Sequence, residues 1–131
     1  MHPKFPIVSN VTHGNSSIRR LADQQEFRSV CGMRRDLILG SDEGVAVHVM
    51  RIGDSKKHFH KVTTEYYYVT AGEGELELDG EVYPLSQGDL AVVRPGTVHT
   101  SRPLPGKELH VLIVVSPNPD SLPAPDLHYK D

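Results

Sequence analysis

Residues 58–72 read HFHKVTTEYYYVTAG: two histidines two apart, with a glutamate five places further on. In an extended strand, residues i and i+2 point to the same face, so His58 and His60 present two imidazoles side by side. Glu65 lies an odd number of residues beyond His60, and an unbroken strand would turn it to the opposite face. A turn across Lys61–Thr64 resets the parity. Glu65 then opens a new strand that carries Tyr67 and Val69 on its own face and Tyr66 and Tyr68 on the other.

The sequence on either side also reads as strands. GELELDGEVYPL (74–85) alternates Leu76 and Leu78 with Glu75, Glu77 and Asp79, and its Asp79-Gly80 pair is a two-residue hairpin signal, because a type I′ turn requires positive φ at both central residues. GVAVHVMRI (44–52), DLIL (36–39), DLAVV (89–93) and LHVLIVVS (109–116) are further short β-rich runs bounded by Gly and Pro. The best helical candidate is SSIRRLADQQEFRS (16–29), with Ile18, Leu21 and Ala22 on one face. This pattern predicts an all-β antiparallel sandwich or barrel. The expected organisation is an N-terminal arm with a short helix or strand over 1–34, a barrel over 35–116, and a proline-rich, irregular C-terminal tail over 117–131. Residues 1–16 read as an extended arm.

At 131 residues the chain has the size of one domain, and such a chain buries roughly two-thirds of its unfolded surface without needing a cross-link. Cys31 is the only cysteine, which excludes an internal disulfide and favours a reducing compartment; a lone cysteine is usually a small core filler. The formal net charge of -3, with 14 basic and 17 acidic residues, leaves no basic stripe for nucleic acid. No apolar run approaches the roughly 18 residues of a membrane span, and the start of the chain is not a secretory signal. The expected setting is cytoplasmic, with no nucleic-acid or membrane partner.

A His-x-His pair by itself is ordinary strand decoration. His99, in GDLAVVRPGTVH (88–99), changes the balance, because Pro95-Gly96 makes a turn that can swing it back toward the interior. Three imidazoles and a carboxylate form a donor set for one divalent first-row metal: Fe, Mn, Ni, Cu or Zn. Four protein ligands leave an octahedral ion two open positions, which is a catalytic rather than a closed structural arrangement.

Gly53, His58, His60, Glu65 and Gly72 resemble the first sequence motif of the cupin superfamily, and Gly88, Gly96 and His99 resemble the second. The resemblance runs from about Gly44 to Val115 and fills all four ligand positions of a small single-domain cupin. It implies a double-stranded β-helix, a six- to eight-stranded jelly-roll barrel with the metal inside. It also implies a homodimer paired through sheet edges and exchanged N-terminal arms.

Other residues carry weaker signals. Tyr67 shares a face with Glu65 and is a candidate general acid or substrate hydrogen-bond donor, set against simple core packing. Arg94 could clamp a substrate carboxylate, set against a surface ion pair. His48 and His110 lie in strands and are candidates to line the cavity and contact substrate. His2, His13 and His128 carry no signal. The leading expectation is a metal-dependent enzyme acting on a small organic molecule, with dioxygenase-type or isomerase/lyase-type chemistry. The alternative is a non-catalytic small-molecule-binding or sensing domain.

Overall fold

Period-two alternation sets the sheets. In a computed structural model, described for residues 9–130, LHVLIVVS forms a strand with Leu109, Val111, Ile113 and Val115 buried and the intervening residues half-exposed. Ala46–Ile52 alternates in the same way, burying Ala46, His48, Met50 and Ile52. The strands, numbered along the chain, are β1 (Val11–His13), β2 (Ser16–Ile18), β3 (Phe27–Ser29), β4 (Gly32–Asp36), β5 (Ala46–Ile52), β6 (His58–Phe59), β7 (Thr64–Leu78), β8 (Glu81–Ser86), β9 (Leu90–Val93), β10 (His99–Pro103), β11 (Leu109–Ser116) and β12 (His128–Tyr129). β1 and β2 pair only with each other. The others run β12-β6-β10-β7-β11-β5-β4-β3, with β8 and β9 also paired to β7. All the pairings are antiparallel.

β7 joins the two layers of the jelly roll. Its first half pairs with β11 and β9, its second half with β10 and β8. The changeover falls at Gly72–Gly74, where neighbouring chain comes too close for side chains. Gly72 has φ +86° and sits against the Glu108 carbonyl, and a Cβ at Gly74 would lie 2.5 Å from the Arg102 carbonyl oxygen. Gly72→Ala is therefore expected to cost about 2–3 kcal/mol of stability from the strained backbone and the clash. Chemical denaturation checks it. Metal stoichiometry should be unchanged in the fraction that folds. The core between the layers includes Met50, Ile52, Val69, Leu76, Val93, Leu109, Val111 and Ile113.

The Asp79-Gly80 hairpin forms as its chemistry dictates, with φ +49° and +89°, joining β7 to β8. Three local expectations are corrected. Residues 16–29 are not a helix but β2, a 3-10 turn (Leu21–Asp23) and β3, because Ile18, Leu21 and the small Ala22 are too little apolar surface to bury a helical face and the segment instead extends the sheet edge beside β4. The strand expected at DLIL lies earlier, as β4, which ends at Asp36. The tail is ordered: a 3-10 turn (Pro119–Ser121) is capped by the Asn118 side chain, and β12 pairs with β6. The first eight residues of the expected arm lie outside the described residues, and the following part forms the β1–β2 hairpin. Among the described residues, no helix is long and apolar enough to cross a membrane.

Candidate metal centre

β6, β7 and β10 bring the ligand candidates together. His58 and His99 are in register as Cα partners on β6 and β10. Their rings lie 4.3 Å apart, and His60 stands 5.4 Å from each. The chain then turns at Lys61–Thr63 and re-enters the sheet at Thr64, which puts Glu65 on the inner face with Tyr67 and Val69. Pro95-Gly96 is the turn that returns His99. Thr97 N–H donates to the Arg94 carbonyl (3.2 Å), Gly96 has φ +87°, and its N–H donates to the His60 carbonyl (2.7 Å), tying one motif to the other. One ligand atom from each of His58, His60, Glu65 and His99 lies within 4.8 Å of all the others.

Each imidazole is oriented by a backbone carbonyl that accepts from its Nδ1–H. The acceptors are Lys56 O for His58 (2.7 Å), Asp126 O for His60 (2.7 Å) and Thr97 O for His99 (2.9 Å). That pattern leaves Nε2 of each neutral ring with a lone pair directed at the cluster, the arrangement seen around metal-ligating histidines. Glu65 Oε1 lies 2.8 Å from His60 Nε2 and 3.1 Å from His99 Nε2. Lone pair facing carboxylate at that range is repulsive unless a cation lies between them. The donor set thus fits a divalent transition metal. Without one, a proton takes its place. Burial alone would lower the His60 pKa, but the adjoining Glu65 carboxylate outweighs it and raises the value. Burial would likewise raise the Glu65 pKa, yet His60 and His99 hold it well below the usual carboxylate range. His58 is pushed down by burial.

A cavity of about 480 Å³ opens on the cluster. Its floor is the inner face of β4, β5 and β11, including Asp36, Ala46, His48, Met50, Ile113 and Val115, and its roof is the tail from Pro119 to Leu127. Cys31 also lines it, with Sγ 3.9 Å from His58 Nε2; burial pushes the thiol pKa up to about 12. Tyr67 is buried, and its hydroxyl donates to Glu65 Oε1 at 3.3 Å. Its pKa is raised well above the ordinary phenol value by burial and by Glu65, so it remains a donor.

The cavity takes in His48 but not the other two weaker candidates. Arg94 is exposed in the turn after β9. His110 points to the outer side of β11, 2.9 Å from Glu108 Oε2, in a separate shallow surface depression.

Sequence reasoning missed the part played by Asp126. Its carboxylate accepts from the N–H groups of Lys61, Val62 and Thr63 (2.8, 3.0 and 3.0 Å) and from the Thr63 hydroxyl (3.3 Å), while its carbonyl holds His60. It therefore templates the turn that restores strand parity between His60 and Glu65. No local pattern in PAPDLH announces this.

Residues 46–115 match the Cupin domain family. A curated relative, "Polyketide synthase CurC" of Streptomyces cyaneus, is 28% identical over 95 residues, covering 71% of this chain and 60% of its own length. The chain spans about three-fifths of the length of the curated relatives it matches. Among solved structures, a protein from Planctomyces limnophilus superimposes with TM-score 0.74 at 24% identity, covering 88% of this chain and 98% of that one. The nucleoside dehydratase PAC13 of Streptomyces, solved as a variant with uridine, superimposes with TM-score 0.72 at 18% identity, covering 87% and 90%. At these identities the solved structures speak to the fold alone. The match over more than half of the chain, on a double-layered antiparallel barrel, shows that this protein belongs to the cupin family.

Proposed function

We propose that the protein is a metal-dependent enzyme acting on a small organic molecule, with dioxygenase-type or isomerase/lyase-type chemistry at His58, His60, Glu65 and His99. The observation that carries this reading is the set of three Nδ1–H groups given to backbone carbonyls, which aims three Nε2 lone pairs and one carboxylate at a single point beside a cavity. A bound divalent ion would supply Lewis acidity, or electron transfer if it is redox-active. The three imidazoles and Glu65 hold it, and Tyr67 fixes the carboxylate through its hydroxyl. The tail over the cavity limits water at the site, and a volume of about 480 Å³ suits a small organic molecule. Oxygen-rich compounds are the class to try first, since a curated relative carries the name of a polyketide synthase.

The test is metal analysis of protein purified without chelator, followed by turnover assays with Fe, Mn, Ni, Cu and Zn on uridine and on aromatic and aliphatic β-diketones. One ion per chain and metal-dependent conversion support the enzyme. One ion per chain with tight ligand binding but no conversion supports the non-catalytic binding or sensing domain. Absence of metal binding overturns the reading.

The site also predicts a pH dependence. In the metal-free protein Glu65 stabilises protonated His60, whose pKa is raised. Metal needs that ring neutral, so the proton must leave. Apparent affinity should therefore fall with decreasing pH through the raised His60 pKa, on the order of tenfold per pH unit for one displaced proton. Titration calorimetry in buffers of different ionisation enthalpy should register the released proton.

A further inference from the structure

His48 stands on the cavity floor outside the ligand set, and it is 7% exposed. In register it lies opposite Ile113, and Ile113 lies opposite Tyr67. Two inter-strand steps put the His48 backbone about 10 Å from that of Tyr67 across the floor. Its Nδ1 is buried without a hydrogen-bond partner, and among the described residues its Nε2 makes no hydrogen bond either. The buried Asn118 and Thr63 are satisfied, Asn118 by Gly40 O and Glu43 O and Thr63 by Asp126; among the described residues the other unpartnered buried side-chain nitrogens are Nε of Arg20, Nε of Arg35 and Nε2 of His60, the last within the ligand cluster. Nδ1 is sealed from the cavity, whereas Nε2 is not among the sealed atoms; a buried ring on the cavity wall with neither nitrogen paired is costly to folding, and a ligand oxygen in the cavity would relieve that cost at Nε2. Burial, with Arg34 adding to it, lowers the His48 pKa to about 4, so at neutral pH the ring carries one donor and one acceptor.

The surroundings define what that partner can be. Arg34 and Asp36 of β4 neutralise each other through two contacts, 2.6 and 3.2 Å. Among the described residues, this end of the cavity therefore offers no free cation to a phosphate or carboxylate. Between His48 and the ligand cluster the floor is apolar, with Ile113 and Val115.

We propose that His48 anchors the substrate, its imidazole exchanging a hydrogen bond with an uncharged hydroxyl or carbonyl oxygen at the end of the molecule opposite the metal. The substrate class is accordingly an uncharged organic compound with oxygens at both ends and an apolar middle. The metal end of this assignment rests on the function proposed above; the His48 end rests on the orphaned ring itself.

Two measurements test it. The first is the melting temperature of metal-free, ligand-free protein. His48→Leu replaces an unsatisfied polar ring with an apolar side chain among apolar neighbours, and should raise Tm by about 3 °C. A ring with a structural role would give a lower Tm on replacement. The second is binding of 4,4′-biphenol against 4-phenylphenol, by calorimetry, to protein with and without Zn. The pair share size and apolar middle and differ by one terminal hydroxyl. The parent protein should prefer the biphenol by about tenfold, His48→Leu should remove the preference, and His48→Gln should retain part of it. Loss of the Zn dependence with the preference intact would overturn the metal reading and leave this one standing. No preference in the parent protein, no binding of either probe, or a preference unchanged in His48→Leu would overturn the His48 assignment.

Discussion

Glu65→Gln is expected to lower metal affinity by more than about 100-fold while the barrel stays folded. The change keeps the shape of the side chain and removes the only negative charge in the ligand set. Deleting even the hydrogen-bond partners of metal ligands commonly costs 10–100-fold, and Glu65 lies within the set itself. The fold should survive because the apolar layers around Val69, Val111 and Ile113, almost wholly buried, do not depend on the charge. A metal adds only a linkage term set by its concentration and affinity. His60→Ala should likewise abolish metal binding and leave a folded domain. Metal content by mass spectrometry and far-UV circular dichroism check both. If His60→Ala unfolds the chain at room temperature, the centre is structural. If both variants hold metal as tightly as the parent, the ligand assignment is wrong.

Asp126→Ala is expected to lower stability by about 3 kcal/mol and metal affinity by 10–100-fold. The stability loss follows from the N–H groups of Lys61, Val62 and Thr63, which all donate to this one carboxylate. Burial opposes ionisation of Asp126, but those N–H groups overcome it and lower its pKa. The affinity loss follows because the same turn sets the direction of Glu65 relative to His60. Asp126→Asn should fall between the two, since one side-chain oxygen remains to accept. Denaturation curves and metal titrations on the same preparations separate the two effects. A destabilised Asp126→Ala that binds metal as tightly as the parent would show that the tail braces the barrel without positioning the ligands.

Much of the site was legible because its signals are local. His58 and His60 share a face by strand geometry, and the Asp79-Gly80 and Pro95-Gly96 turns are dictated by which residues tolerate positive φ. The odd interval between His60 and Glu65 already required a turn, and the structure has one there. What made that turn was not legible, because Asp126 lies 65 residues from the Lys61 amide it holds. The proline-rich tail reads as irregular for want of any internal period, yet it closes the cavity, and it is contacts with β6, the 61–63 turn and the loop at 40–45 that order it.

The facing of β5 shows most directly where local reading ends. Hydrophobicity alone does not choose its buried face, since Val47 and Val49 share one face with Arg51 while Ala46, Met50 and Ile52 share the other with His48. The structure buries Ala46, His48, Met50 and Ile52 and leaves Val47 and Val49 half-exposed. In β11 nearly every residue is apolar, so alternation cannot choose a face there either; the structure turns His110 out while it turns Ile113 in. The chain by itself determined that strands form, where they turn, and which residue types are available to hold a metal. The facing of β5 and β11 was decided by pairing with β4 and β7, because a one-residue shift in register exchanges the two faces of a strand. That pairing is what puts His48 on the cavity floor and His110 on the surface.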